Sequence, residues 1–329
     1  MENNLVAVTR AFAHEDKKRS WFHVAETFGA LAALIGLAAV APHWGLRLAA
    51  SVVAGLTIVR AFILAHDFHH GAILRKNKVA EAIFFVYGLL VLTPPRIWRD
   101  SHNYHHANTA KIVGAQIGSF PVMTVEMWKR APKNKRRLYA AARHPLTIAF
   151  GYVTIFLLGM CVGSFLKKPK QYWDSGLAVV LHAALVGGLT YAFGFQMALF
   201  TVIVPLIVAC AVGSYLFYAQ HNFPEMDIQP RHTWSFQRAA LESSSYMKTG
   251  PIMGWFTGHI GLHHIHHLNA VIPFYRLHEA MAAIPELQVK PQTSLSPSDI
   301  AACLRLKLWD PVAKEMVPFP EESGAPSAG

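Results

Sequence analysis

Cysteine is scarce in this chain, and its scarcity removes several kinds of site. The three cysteines, Cys161, Cys210 and Cys303, are far apart, and no C-x-x-C motif occurs. Zinc knuckles, iron–sulfur clusters and disulfide frameworks all need several cysteines at short or paired spacings. The sequence therefore predicts none of these three features.

Catalytic carboxylate motifs and nucleotide-binding glycine motifs are also missing. Zinc hydrolases usually carry H-E-x-x-H, and the soluble carboxylate-bridged di-iron proteins carry paired E-x-x-H, but neither pattern occurs here. The chain also has no dinucleotide-binding glycine motif and no fused cytochrome b5 segment. A redox enzyme with this sequence would need a separate electron donor.

Charge is sparse, at 15% of the 329 residues, whereas 53% of the residues are hydrophobic. This balance indicates an integral membrane protein and not a pair of soluble domains. Most of the longest apolar runs approach the roughly 20 residues that a helix needs to cross a bilayer. These runs are 27–41, 46–65, 177–193 and 195–219, and two further apolar runs are 80–92 and 146–166.

Lysine and arginine positions predict the orientation, because short loops rich in them stay in the cytoplasm. Both chain ends, the loop 66–146 and the basic cluster 167–170 therefore belong on the cytoplasmic side. Arg60, inside the second run, is expected to snorkel toward the interface. The histidine-rich segments can meet on one side of the membrane only if the chain between each two of them crosses the membrane an even number of times. This condition predicts four crossings, with 80–92 re-entrant or interfacial and 146–166 not crossing.

A net charge of +11 could suggest a nucleic-acid partner. Most of that charge is explained by the positive-inside bias of a membrane protein, so no nucleic-acid partner is predicted. The basic run 133–137 is instead expected to touch anionic lipid headgroups.

Histidine is abundant, with 19 copies, and most of them are clustered. Three histidine boxes, at 66–70, 102–106 and 263–267, place rings at i, i+3 and i+4 or at i and i+4, which share one helical face. The boxes at 66–70 and 263–267 each contain one histidine more than these spacings use. If that histidine is left out of each, the three boxes and His221 together supply about nine imidazoles. One ion cannot use nine ligands, so the count predicts a dinuclear metal site. An all-imidazole site beside lipid suits a redox metal that activates oxygen; we favour iron, although ligand softness also permits copper or manganese.

The order and spacing of the boxes resemble the membrane fatty acid desaturase superfamily. Within it, the chain is most similar to bacterial acyl-lipid desaturases of the delta-12 or omega-6 type. The similarity is carried by the boxes, by F-Y-A-Q-H-N-F at 217–223, by I-P-F-Y-R-L at 272–277 and by L-R-L-K-L-W-D at 304–310. It extends over about residues 25–320.

The resemblance implies an all-α integral membrane protein with four transmembrane helices, a cytoplasmic histidine-rich di-iron cap and one or two re-entrant or interfacial helices. We expect a single domain, 1–329. It divides into a cytoplasmic N-terminal segment (1–24), membrane helices with a cytoplasmic loop at 66–146 (25–219), a cytoplasmic cap (220–320) and a disordered tail (321–329). A bacterial inner membrane is the expected location.

The implied activity is oxygen-dependent desaturation, in which two iron ions, dioxygen and two external electrons introduce a cis double bond into an acyl chain. The family's first box usually reads H-D-C-G-H, whereas Phe68 and His69 stand here in place of Cys and Gly. His69 could therefore be a ligand, a hydrogen-bond donor to a ligand or a pocket wall. The metal ligands carried over from the family are His66, His70, His102, His105, His106, His221, His263, His266 and His267.

Several neighbouring side chains are candidates for supporting roles. Asp67 is expected to accept a hydrogen bond from a ligand imidazole and so fix its tautomer, and Asp100 could do the same. His264 is expected to lie behind the ligands or to face solvent, and His182 to form a hydrogen bond between packed helices. Plausible walls of an acyl tunnel are the aromatic residues Phe84, Phe85, Tyr87, Trp98 and Trp255.

The expected partners are a membrane acyl lipid or acyl thioester as substrate and a separate donor of the ferredoxin or cytochrome b5 type. An acidic donor could dock on the basic surface 129–137. One alternative is a related di-iron hydroxylase, ketolase or alkane-type oxygenase. Another is a membrane metal transporter or sensor, which the sequence disfavours because only His182 lies within a membrane run.

Overall fold

The computed structural model describes residues 4–112, 118–230 and 232–320, and these are mainly helical; the predicted tail at 321–329 lies outside the described residues. The α-helices are α1 (Leu5–Thr9), α2 (Lys17–Val40), α3 (Trp44–His70), α4 (Lys78–Leu90), α5 (Pro95–Asn108), α6 (Val125–Arg130), α7 (Lys133–Ala142), α8 (Pro145–Ala149), α9 (Ser164–Lys167), α10 (Trp173–Phe193), α11 (Phe195–Ala198), α12 (Val204–Ala219), α13 (Phe236–Glu242), α14 (Gly250–Phe256), α15 (His263–Leu268), α16 (Leu277–Ala283) and α17 (Pro297–Arg305). Two π-helical segments, Tyr152–Gly163 and Leu199–Ile203, and three 3-10 turns, Arg10–Phe12, Phe274–Arg276 and Pro285–Leu287, complete the helical structure.

Four helices in the described ranges are long and apolar enough to cross a membrane. They are α2, α3, α10 and the continuous helix Phe195–Ala219, which runs through α11, a π-helical turn and α12. This number of candidate spans agrees with the four crossings predicted from the sequence; the bent pair α4–α5 would add a fifth if it were counted as one span. Because α3 and α12 each follow a tight turn after the preceding span, both bring their C-terminal ends to the side where the histidines lie.

Local capping explains why the spans exceed the apolar runs. The Asp16 side chain accepts the backbone N–H groups of Lys18 and Arg19, so α2 begins ten residues before its apolar run. Helix α3 continues to His70 and ends where Gly71 adopts a left-handed conformation, at φ 73°. The first histidine box is therefore the last turn of a span and not the start of a loop.

Helices α4 and α5 form a bent pair between the second and third spans. They meet at an angle of 94°, at the break created by Pro94 and Pro95, and only together do they reach the length and hydropathy of a span. The apolar run predicted at 146–166 forms an apolar helix over 152–167, and this helix is shorter than the four candidate spans. The second histidine box lies on α5.

Residues 220–320, apart from residue 231, form a cap against the histidine-bearing ends of α3 and α5. Two small sheets tie it together. In one, β1 (Met123–Thr124) pairs in parallel with β4 (Leu308–Asp310), which pairs antiparallel with β5 (Glu315–Val317). In the other, β2 (Met247–Lys248) and β3 (Thr293–Ser294) are parallel. The first sheet joins the middle loop to the C-terminal region.

The N-terminal segment belongs to this cap. Leu5 is 4% exposed and packs in one apolar cluster with Ile265 and Leu268 of α15. The Asn269 side-chain amide donates to the Thr9 hydroxyl at 3.1 Å. Residues far apart in sequence thus support the helix that carries the third histidine box.

The Arg60 side chain is enclosed by protein. It is 2% exposed and donates to the Trp255 carbonyl at 2.6 Å and to the Thr27 hydroxyl at 3.0 Å. It also forms an ion pair with Glu26 at 3.3 Å. Internal acceptors on α2 and α14 satisfy the guanidinium, so its burial inside a span is compensated by the protein.

His182 behaves as predicted. Its Nε2 atom lies 2.6 Å from the Tyr152 hydroxyl, which joins α10 to the apolar helix after α8. The contact is a helix-packing hydrogen bond within the membrane region.

Candidate metal centre

Nine histidine side chains converge where α3, α5, α15 and the turn after α12 meet. Within each of two groups, one ring nitrogen from every member lies within 4.8 Å of the others. The five-histidine group contains His66, His70, His102, His106 and His266. The four-histidine group contains His105, His221, His263 and His267. The structure thus brings together all nine residues named from the sequence.

In the five-histidine group, α3 and α5 supply two histidines each. His66 and His70 lie one turn apart on α3 with ring centroids 4.6 Å apart. The Nε2 atoms of His102 and His106 are 3.0 Å apart, and His266 Nε2 lies 3.2 Å from His106 Nε2.

The four-histidine group is equally tight. His221 Nε2 lies 2.9 Å from His105 Nε2 and 3.0 Å from His263 Nε2. His267 Nε2 lies 3.1 Å from His263 Nε2. Nitrogens bound at about 2.1 Å to a common ion lie about 3 Å apart when their bonds are at right angles. The spacings therefore fit a metal ion in each group.

Burial keeps these rings neutral. It places the pKa of His263, His266 and His267 well below the ordinary histidine value, with the charges of neighbouring histidines as a further cause. Burial likewise lowers the pKa of His221 to about 4. A neutral imidazole has a free lone pair, which metal binding requires. Neither group contains a carboxylate in the described part of the chain.

Three hydrogen bonds orient the rings. Nδ1 of His66 lies 3.1 Å from Oδ1 of Asp67, the contact predicted from the sequence. Nδ1 of His221 lies 3.0 Å from the Ser243 carbonyl, and Nδ1 of His267 lies 3.3 Å from the Thr109 hydroxyl. When Nδ1 carries the hydrogen, the Nε2 lone pair is left for a metal.

Two of these supporting groups, Thr109 and the Ser243 carbonyl, are not predicted by the sequence pattern. Thr109 lies four residues after His105 on the chain, and its hydroxyl also donates to the His105 carbonyl at 2.8 Å. The i+4 spacing on a box helix is a signal that could have identified it. The Ser243 contact uses a backbone carbonyl, so no side-chain pattern could indicate it.

Asp100 does not have its predicted place. Its carboxylate accepts from the Gln171 side chain at 3.0 Å and from the Tyr172 hydroxyl at 3.4 Å. The Asp100 side chain therefore contacts the segment before α10 and not a histidine of either group. Its position two residues before His102 turns it about 200° around α5 from that ligand.

His69 and His264 lie outside both groups. The His69 ring packs beside Trp98, with centroids 5.3 Å apart. His264 is fully buried, and its Nε2 atom lies 3.1 Å from the Leu287 carbonyl, so it does not face solvent. The first and the third histidine box therefore each have one ring, His69 and His264 respectively, that points away from the two groups.

The aromatic residues predicted as tunnel walls are dispersed. Only Trp98 borders the centre, stacking on His102 at 4.5 Å. Phe84 and Tyr87 lie in the core between helices. Instead, a cleft reaches His105 and His221 from the side of the middle loop. Its apolar lining residues are Ile112, Phe120, Val122, Phe217, Met226 and Ile228.

Comparison with known proteins agrees with the geometry. The sequence profile described as fatty acid desaturase matches residues 42–296, and the chain therefore belongs to the fatty acid desaturase family. It is thus a membrane enzyme with histidine boxes that desaturates fatty acyl chains. A fatty acid desaturase of Bacillus subtilis (strain 168) is 29% identical over 327 residues, covering 97% of this chain and 91% of that protein.

Two cyanobacterial relatives have more specific names. The sn-1 oleoyl-lipid 12-desaturase of Picosynechococcus sp. is 24% identical over 288 residues, covering 82% of this chain and 77% of that protein. The sn-1 acyl-lipid omega-3 desaturase (ferredoxin) of Nostoc sp. is 26% identical over 242 residues, covering 68% and 63% of the two chains.

Proposed function

We propose that this protein introduces a cis double bond into an acyl chain of a membrane lipid, with delta-12 (omega-6-like) regioselectivity, by an oxygen-dependent reaction at an all-histidine di-iron centre. The observation that carries the proposal is the division of nine imidazoles, all buried or half-buried, into two metal-sized groups. The name of the Picosynechococcus relative supports a lipid-linked oleoyl substrate, and that of the Nostoc relative supports ferredoxin as donor.

The donor set fits two metal ions, and we assign iron to both. The five-histidine group would hold one ion and the four-histidine group the other. When bound, the pair would supply the redox chemistry that lets dioxygen accept four electrons. Two of these electrons come from the external donor and two from the broken C–H bonds. With the two hydrogens of the substrate and two protons from solvent, the products are one alkene and two waters.

The protein's own contribution is to orient the rings and to exclude water. Asp67, Ser243 and Thr109 hold imidazoles by their Nδ1 atoms, so the Nε2 atoms face inward. The cleft that reaches His105 and His221 carries apolar side chains, among them Ile112 and Phe217, which suit an acyl chain, beside polar ones such as Lys111 and Asn222. A dry, shaped cavity would present one pair of C–H bonds and restrict side reactions with water.

For the arrangement in the membrane we keep the sequence-based proposal. Both termini and the histidine centre lie in the cytoplasm of a bacterial cell, with the spans in the inner membrane and residues 1–329 in a single domain. The strongly basic middle loop supports this orientation. The 94° bend between α4 and α5 supports a re-entrant or interfacial pair, since a straight span would bury both helices in lipid.

The test is mass spectrometry of fatty acids from a bacterial host supplied with oleate and a ferredoxin system. Cells that express the protein should make a new diene two mass units below oleate, and the position of its second double bond reports the regioselectivity. Cells that express the His266→Ala variant should not. A hydroxylated product would instead identify a related oxygenase, and an unchanged fatty acid profile would contradict the proposal.

A further inference from the structure

Aromatic rings form a nearly continuous path from the surface of the middle loop to the four-histidine group. We call it the aromatic path; its members, from the outside inward, are Trp128, Tyr139, Tyr218, Phe120 and Phe217. The rings come from α6, α7, α12 and the segment before β1. Packing of the core alone does not require rings from four elements to line up toward one metal group.

The outer end of the path lies on a basic face. Trp128 stacks on Phe319 with ring centroids 4.5 Å apart, and Tyr139 lies 5.7 Å from Trp128. Arg130 forms an exposed ion pair with Glu126. The other cations of this face, on α6 and α7, are Lys129, Lys133, Lys135, Arg136 and Arg137.

A buried arginine joins the middle of the path. Arg143 is completely buried, and its guanidinium carbon lies 5.7 Å from the Tyr139 ring centroid and 4.9 Å from that of Tyr218. It donates to the Pro121 carbonyl at 2.7 Å and to the Asn222 side chain. The cation therefore holds the two tyrosine rings in place from between them.

The inner end reaches the metal group. Phe120 lies 5.0 Å from the Tyr218 ring and 6.4 Å from the Phe217 ring. Phe217 in turn lies 5.1 Å from the His105 ring and 5.9 Å from the His221 ring. Both of these histidines belong to the four-histidine group.

We propose that the basic face of α6 and α7 docks an acidic, one-electron redox protein and that the aromatic path carries its electron to the four-histidine group. This inference rests on the proposed function. Each docking event oxidises one donor by one electron, and two events supply the pair that the reaction consumes. The rate of electron transfer falls steeply with distance, and the closely spaced rings keep each step between this face and the four-histidine group short.

Two features favour a protein over a lipid surface as the occupant. The face combines positive charge with a stacked aromatic pair, and acidic partners are steered to such a surface by charge complementarity. The aromatic path behind this face leads to the four-histidine group, and a lipid headgroup bound at the face would supply no electrons to that path. The basic run 133–137 is also predicted to contact anionic lipid headgroups. The binding experiment below distinguishes this lipid contact from docking of a protein.

The binding experiment uses the full chain in nanodiscs of neutral phosphatidylcholine and a plant-type ferredoxin as the acidic partner. The triple variant Lys129→Glu, Lys133→Glu, Lys135→Glu should weaken the affinity at low salt by about tenfold or more, and added salt should remove the difference. The control is the double variant Lys248→Glu, Lys290→Glu, which reverses two lysines that are exposed elsewhere; its affinity should match that of the wild type. Equal affinities of the triple variant and the wild type would overturn the proposal, and so would a triple variant that loses only its binding to anionic vesicles.

The electron-transfer experiment follows oxidation of reduced ferredoxin by the iron-loaded protein without oxygen. At ferredoxin concentrations that saturate the docking face, Trp128→Leu should accept the electron several-fold more slowly than the wild type, while its reduction by dithionite is unchanged. Trp128→Phe keeps a ring and should recover most of the rate. Trp173→Leu, a control for the loss of a partly exposed tryptophan outside the path, should behave as the wild type.

The outcomes separate this inference from the proposed function. If dithionite supports diene formation but the Trp128 variants accept electrons at the wild-type rate, the path is wrong and the desaturase function stands. If Trp128→Leu slows reduction but no alkene forms with any acyl substrate, the path is supported and the proposed reaction is wrong.

Discussion

The carboxylate of Asp67 joins two distant parts of the chain at His66. Oδ1 lies 3.1 Å from Nδ1 of His66, and Oδ2 accepts the backbone N–H of Phe274 at 2.7 Å. Asp67 is 1% exposed, so both of its oxygens act inside the protein. One side chain thereby fixes a histidine of the first box and anchors the segment that follows the third box.

This relationship predicts a loss of metal in Asp67→Asn. The amide nitrogen would face either the His66 N–H or the Phe274 N–H, so one of the two hydrogen bonds is lost. Loss of such a supporting partner typically costs 10- to 100-fold in metal affinity or activity. Iron per protein by mass spectrometry and diene formation should both fall.

Asp100→Asn is the matched control, since that carboxylate accepts hydrogen bonds from Gln171 and Tyr172 and not from a histidine of either group. It should keep normal iron content and activity. Equal iron loss in the two variants would show that the Asp67 contacts do not support the centre.

The first box predicts a difference between adjacent histidines. His70→Ala removes a member of the five-histidine group, whereas His69→Ala removes a ring that packs beside Trp98. We expect His70→Ala to hold about one iron or less and His69→Ala to hold about two. Iron content measured on folded, detergent-purified protein decides this, and an iron-poor His69→Ala with normal His70→Ala would reverse the assignment.

The buried histidines predict that the metal-free protein is sensitive to acid. In the folded chain, burial lowers the pKa of His221 and His264 to about 4. In the unfolded chain both rings have the ordinary histidine pKa, so on acidification they are protonated in the unfolded chain before they are protonated in the folded one. Their contribution to stability is present above about pH 6.5 and is lost as the pH falls toward 4. The melting temperature of the metal-free protein should therefore fall between pH 7.5 and pH 5. A melting temperature independent of pH over this range would contradict the neutral state of the rings.

The N-terminal segment predicts a stability effect far from the metals. Leu5 is 4% exposed and packs with Ile265 and Leu268, so Leu5→Ala should cost about 2–4 kcal/mol. Val8 is 48% exposed, and Val8→Ala should change stability by less than about 0.5 kcal/mol. Thermal unfolding of both variants measures the difference; equal melting temperatures would mean that the segment does not support α15.

The number of spans and the family were predictable because both depend on local composition and spacing. Apolar runs of span length predict helices wherever they occur, and the rings at i, i+3 and i+4 of the third box lie on α15 as the periodicity indicates. The predicted contact of Asp67 with His66 also depends on neighbours in sequence. These features need no knowledge of the remaining chain.

The choice among crowded histidines needed the tertiary structure. Consecutive residues on a helix point about 100° apart, so His105 and His106 are sent to different groups although they are adjacent. The spacing of the first box fits either His69 or His70, and only the approach of α5 and α15 to one side of α3 selects His70.

The sequence by itself thus determined that this is a membrane protein with four helices of span length and three histidine boxes, since hydropathy and helical periodicity are properties of neighbouring residues. The tertiary structure alone decided how nine rings divide between two groups, that Asp100 contacts Gln171, and that Arg60 is buried among protein acceptors. Those outcomes depend on which distant segments pack together, and no local pattern encodes that packing.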